Sequence, residues 1–192
     1  MQWVTRRRPK IDRLASPWLI RRFIDPESQF VFVPAADVQS VAVATNAIPF
    51  DVPGVELWHG GTGCSFEVLL EKYRCADPAL KRIARIVRSA DNDNLRPVPE
   101  AAGLRAISLG LAGAVRDDHE RLAIGFVLYD ALYRWASKAQ SDATARTERG
   151  MALWFARWGE RRDLAELNDR MLRDIGLTPA DVRLECERPW WR

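Results

Sequence analysis

The chain has 192 residues, 47% hydrophobic and 29% charged, with a formal net charge of +3. That length holds one ordinary domain with an appendage, and the composition is that of a globular protein rather than a disordered one. The mild positive charge, much of it in Arg6, Arg7, Arg8 and Lys10, permits an anionic ligand without demanding nucleic acid.

The elements are read in chain order. Ser16-Pro17 reads as the N-cap and first position of a helix over 16–24, which Asp25-Pro26 ends because the residue before proline is pushed out of the α region. Gln29–Val33 is short, β-branched and aromatic, and reads as a strand. Between 34 and 63, brief β-like runs at Ala47–Val52 and Val55–Trp58 lie among prolines and glycines, and Gly60–Gly63 reads as a flexible turn. Helical periodicity follows, with stripes at Phe66, Leu69, Leu70, Tyr73 and at Leu80, Ile83, Ala84, Val87, the second starting from the cap pair Asp77-Pro78. The small residues of 100–115 suggest a close-packed central helix. Residues 118–137 form an aromatic-faced helix with an acidic start and Leu122, Phe126, Tyr129 and Tyr133 on one face. A linker at 138–150 leads to an Arg- and Trp-rich tail at 151–192. There Leu164, Leu167, Met171 and Ile175 have helical spacing, Gly176 suits a helix C-terminus, and Thr178–Asp181 resembles a capping box. The expected fold is mainly α with a small β element: a compact helical domain plus a C-terminal helical hairpin.

Cys64, Cys75 and Cys186 are odd in number and widely spaced, which argues for free thiols in a reducing compartment. No apolar h-region follows the N-terminal charges and no run is long enough to span a bilayer, so a soluble cytoplasmic protein with no membrane contact is expected. The common templates of catalysis, HExxH, CxxC pairs, Walker and GxSxG elements, are absent.

Four groups of residues could carry chemistry. Arg22 lies four residues from Trp18 and, unless a local bend intervenes, points inward, while Arg21 can pair with Asp25. An inward guanidinium needs a carboxylate such as Asp12, backbone carbonyls or a bound tetrahedral oxyanion. His59, at the mouth of the Gly-rich turn, is either a hydrogen-bonded structural group or a ligand. Cys64 opens a helix, where the dipole could lower its pKa, or is simply a small buried hydrophobe. A mixed transition-metal site from His59, Cys64, Glu67, Asp91 and His119 is the enzyme alternative, while Asp117–Glu120 could equally be a plain helix cap. The tail holds eight Arg and eight acidic residues, so RNA or protein binding through Arg157, Arg161, Arg162, Arg170 and Arg173 competes with packing.

Several segments together resemble the C-terminal domain of the ChrB family of chromate-resistance proteins: Lys10–Asp25, Phe50–Glu56 with His59, Cys64–Phe66, Arg85–Asp91, Ala101–Leu104 and Tyr129–Tyr133. They place that domain at 8–137. The resemblance implies a chromate-responsive regulator of an efflux transporter, with Arg13, Arg21, Arg22 and His59 holding chromate or a related oxyanion. Longer relatives carry a winged-helix-like N-terminal region. Only about ten residues precede the resembling segment here, so direct DNA binding of that kind is not expected. Arg162–Leu167, Leu172–Leu177 and Pro189–Arg192 resemble YjiS-like domains, which implies a regulatory output linked to RNA turnover or stress.

Overall fold

The structure, a computed structural model, describes residues 1–58, 63–92, 98–139, and 149, 172, 174, 176 and 178–187. It divides into two compact units, Met1–Gln140 and Ser141–Arg192.

The first unit is built on a three-stranded parallel sheet in the order β2-β1-β3: β1 (Gln2–Arg6), β2 (Gln29–Val33) and β3 (Ile48–Pro49). β1 pairs with β2 from Gln2↔Gln29 to Arg6↔Val33 and with β3 at Trp3↔Ile48 and Val4↔Pro49. As the central strand it buries side chains on both faces, as parallel strands do. Trp3 joins the main helical core, while Val4 joins a second cluster with Val38, Ala42, Ala47 and Val52. That second face is covered by α2 (Val38–Thr45), which ends where Asn46 turns left-handed at φ 53.

The main core lies on the other face. It is enclosed by α1 (Ile11–Leu19), α3 (Ser65–Lys72), α4 (Pro78–Asp91), α5 (Pro99–Ala114) and the long helix α6 (118–139). Leu122, Tyr129 and Ala136 recur every seven residues as the buried seam of α6. Gly125 lets α6 approach α1 closely, since a Cβ there would sit 3.2 Å from Leu14 Cδ2. No helix among the described residues is long and apolar enough to cross a membrane.

Several sequence expectations hold. The strand Gln29–Val33, the brief β run at 48–49 with its Phe50–Leu57 bridge, the Asp77-Pro78 cap and the stripes of α3, α4 and α6 are all present. Others need correction. α1 starts at Ile11, not Ser16, and Pro17 lies inside it. Ser16 is no N-cap; its hydroxyl donates to Asp12 Oδ1 at 2.9 Å. A proline inside a helix withdraws one amide from the ladder, and the chain then widens into a π-turn at Ile20–Ile24 before Asp25 ends it. α5 is not closely packed all round: Ala101, Leu104 and Ser108 are buried, whereas a Cβ on Gly103, Gly110 or Gly113 would meet open space.

In the second unit, Gly176 takes a positive φ of 76, and α7 (Pro179–Glu187) starts with a closed cap. The Thr178 amide and hydroxyl both donate to Asp181 Oδ2, at 2.9 and 2.6 Å, and the Asp181 amide returns to Thr178 Oγ1 at 3.3 Å. The expected helical stripe at Leu164, Leu167, Met171 and Ile175 lies outside the described residues.

Candidate functional site

Two buried carboxylates organise the N-terminus of α3. Asp12, from the first turn of α1, accepts the Ser65 amide at 2.6 Å, the Phe66 amide at 3.1 Å and the Ser16 hydroxyl. It therefore caps α3 from another helix, in place of Cys64, whose side chain makes no cap bond. Burial, reinforced by the charges of Asp51 and Asp91, lifts the Asp12 carboxyl to about 7 despite those donors.

Asp51 sits in a left-handed turn at φ 52, a conformation Asp tolerates better than most residues. Its amide donates to Leu57 O at 3.0 Å and its Oδ1 accepts the Ser65 hydroxyl at 3.0 Å. Its Oδ2 receives both Arg6 Nη2 at 3.1 Å and Arg13 Nη1 at 3.4 Å. Two guanidiniums thus share one carboxylate, and the Nε of each is buried without a hydrogen-bond partner. Burial, only partly offset by Asp51, pulls the Arg13 guanidinium below its ordinary pKa. At the C-terminal end of α4, Asp91 contributes its charge to Asp12, Arg13 and Cys64.

The other arginines singled out in the sequence have different partners. Arg21 Nε donates to the Ser28 hydroxyl at 2.9 Å, another of its nitrogens bonds Ser28 O, and its guanidinium lies against the Phe30 and Phe126 rings. The expected pairing of Arg21 with Asp25 is absent: Asp25 Oδ2 accepts the Met1 ammonium at 2.8 Å and Trp3 Nε1 at 3.1 Å. Arg22 does share a face with Trp18, and both donate to Asp130 Oδ1, at 3.0 and 2.8 Å. Trp18 is buried, but Arg22, within the π-turn that follows Leu19, lies at the half-exposed rim against α6 rather than in the interior. The acid expected to compensate Arg22 is accordingly Asp130 rather than Asp12. Partial burial raises the Asp130 pKa, but the Arg22 and Trp18 donors outweigh it and hold the carboxyl below its usual range.

Of the expected metal-ligand residues, those the structure describes have other surroundings. Cys64 is buried, and burial with Asp12 nearby pushes its thiol up, the reverse of a helix-activated nucleophile. Glu67 pairs with Arg88 at 3.3 Å, and His119 meets the Phe32 ring edge-on. Among the described residues no three His, Cys, Asp or Glu side chains form a metal-binding group. His59 lies outside the described residues, as do Arg157, Arg161, Arg162, Arg170 and Arg173.

Arg6, Asp51 and Ser65 escaped the sequence reading. Arg6 was visible only as one of a run of charges. The signal for the other two was present, since Asp12, Arg13, Asp51, Ser65 and Asp91 fall in four separate segments of the family resemblance.

The fold and site define a mainly helical domain set on a small parallel sheet, with paired guanidiniums converging on one carboxylate. The chain belongs to the family described as ChrB, C-terminal domain, which matches residues 3–136, and so is related to chromate-resistance proteins. Residues 149–183 match the YjiS-like domain. The chain is 37% identical over 134 residues to Protein ChrB of Cupriavidus metallidurans, a match covering 69% of this chain and 40% of that protein. It thus spans well under two thirds of that relative's length. No solved structure matches.

Proposed function

We propose that the protein is a cytoplasmic, chromate-responsive resistance or regulatory protein whose first unit binds a tetrahedral oxyanion beside Asp51. The observation that supports this most directly is the orphaned Nε on both Arg6 and Arg13 around one shared carboxylate. Guanidiniums with unused donors are suited to a dianion that presents several acceptor oxygens. His59 belongs to this reading because the chain on either side of it is tied to Asp51: Leu57 through its carbonyl and Ser65 through its hydroxyl. Arg21 and Arg22, bonded to Ser28 and Asp130, act here as braces of the helical frame. Occupancy at Asp51 would alter the residues bonded to it, and that change is the signal the tail or a partner would read.

Calorimetric titration with chromate, with sulfate as the control of equal shape and charge, tests the reading. Wild type and Arg22→Ala should bind alike, whereas Arg13→Ala should lose about ten-fold or more. Arg6→Gln, at the half-exposed end of β1, should weaken binding without threatening the fold. Chromate binding that survives both Arg13→Ala and Arg6→Gln would remove the site from consideration.

A further inference from the structure

A basic cavity, lined by none of the residues proposed above to bind an oxyanion, opens at the C-terminal end of α5. It encloses about 670 Å³ and is lined by Arg8, Lys10, Arg116 and Arg121, with Leu109 and Gly113 of α5 beneath them. Four cations surround it, and the neighbouring carboxylates are already engaged. Asp117 Oδ1 accepts the Glu120 amide at 2.8 Å. Asp118 accepts Arg121 Nη1 and the Arg8 amide, each at 3.0 Å.

The cavity wall is built rather than incidental. Arg121 is only 2% exposed. Two of its nitrogens bind Asp118 and the carbonyls of Ala112 and Val115, while its Nε is buried without a partner. Arg8 is held in the left-handed region at φ 59, an unfavourable conformation for a non-glycine residue, fixed by Asp118 on its amide and by Arg13 Nη2 on its carbonyl at 3.4 Å. Leu109 is 43% exposed and offers an apolar seat, and a Cβ on Gly113 would meet nothing within 4 Å.

We propose that this cavity binds a small polyphosphate-bearing ligand of the nucleoside polyphosphate class. Its volume is that of a cofactor- or nucleotide-sized site and far exceeds a single tetrahedral anion. Four cations match a chain of phosphates, with the exposed Arg116 and Lys10 as grips and the buried Arg121 as the fixed charge. The apolar ledge of Leu109 suits the face of a base.

The test uses the full chain at physiological salt, with ATP and inorganic tripolyphosphate as probes. Saturable one-to-one binding is expected, tighter for ATP than for tripolyphosphate because of the Leu109 ledge. Arg116→Glu should weaken it about ten-fold or more. Gly113→Leu should do the same by filling the cavity; it keeps every charge and replaces glycine by a better helix former, so the fold is not at risk. No saturable binding, or binding retained in both variants, overturns the proposal. A single-stranded oligonucleotide bound more tightly than ATP, with the same dependence on Arg116, overturns it in favour of a nucleic-acid backbone. Chromate affinity should be unchanged in Arg116→Glu; joint loss of chromate and ATP binding would mean one shared anion site and would overturn the separation.

Discussion

The Asp51 cluster and the Asp130 rim are both arginine–carboxylate groupings beside α1, yet they are built in opposite ways. At Asp51, two guanidiniums share one nearly buried carboxylate, and two Nε groups are left over. At Asp130, one half-exposed guanidinium meets a carboxylate with two donors, Arg22 Nε on Oδ1 and Nη2 on Oδ2, and Trp18 completes the set. The first grouping has buried donors without acceptors, whereas no donor of Arg22 is buried without one. The proposed anion site rests on that contrast in buried, unused donors rather than on the presence of arginine.

Removing the shared carboxylate should have the largest effect. Asp51→Asn keeps a residue that tolerates the left-handed turn and deletes only the charge, leaving Arg6 and Arg13 without their counter-ion. A loss of about 3 kcal/mol in urea unfolding is expected. If uncompensated charge is the cause, Arg13→Gln added to Asp51→Asn should recover part of that loss in a double-mutant cycle. A strictly additive cycle would show that the two residues do not act together.

How much of this was legible in the sequence depends on whether local or distant forces set each element. Gln29–Val33 and the Asp77-Pro78 helix start are local signals of propensity and capping, and the sequence displays them openly. β1 is different: five residues next to a charge run become a strand because β2 and β3 pair with both edges. α2, with its β-branched Val38, Val41 and Val43, is a helix because the second sheet face must be covered, and Val38 and Ala42 one turn apart cover it. The site follows the same rule. Arg13 lies before the helix read at 16–24 and is singled out by the family resemblance, whereas Asp51 gains its role from a turn that brings residues 6, 13 and 65 to one carboxylate.

The protonation of Asp12 sharpens the comparison further, because it sets the charge beneath the Asp51 cluster. Its carboxyl titrates near 7 in the folded chain against 3.8 for the free group. Between those values the folded state holds the proton more tightly, so this group's stabilisation is complete below pH ~4 and is lost as pH rises through 7. Asp12→Asn has no proton to lose. It leaves one α3 amide short of an acceptor, and that penalty should look larger at pH 5 than at pH 8 when both proteins are unfolded in urea. A stability gap that stayed constant from pH 5 to pH 8 would mean that Asp12 is ionised across that range in the folded chain as well.

The smallest effects belong to the rim, and they should be unequal for its two partners. Asp130→Ala strands the Nε1–H of Trp18, a fully buried ring, and should cost about 1–2 kcal/mol. Arg22→Ala leaves Asp130 half exposed to water and still bonded to Trp18, so about 0.5 kcal/mol is expected, the range of surface ion pairs. Thermal melts of the two variants would show this asymmetry, and chromate titration of Arg22→Ala would show whether the rim touches a ligand. A mild melt with undiminished chromate affinity keeps Arg22 a brace. Chromate affinity lost with the fold intact would reverse the comparison: the exposed pair would then be the one that opens to admit the anion, and the buried, unused donors beside Asp51 would need another explanation.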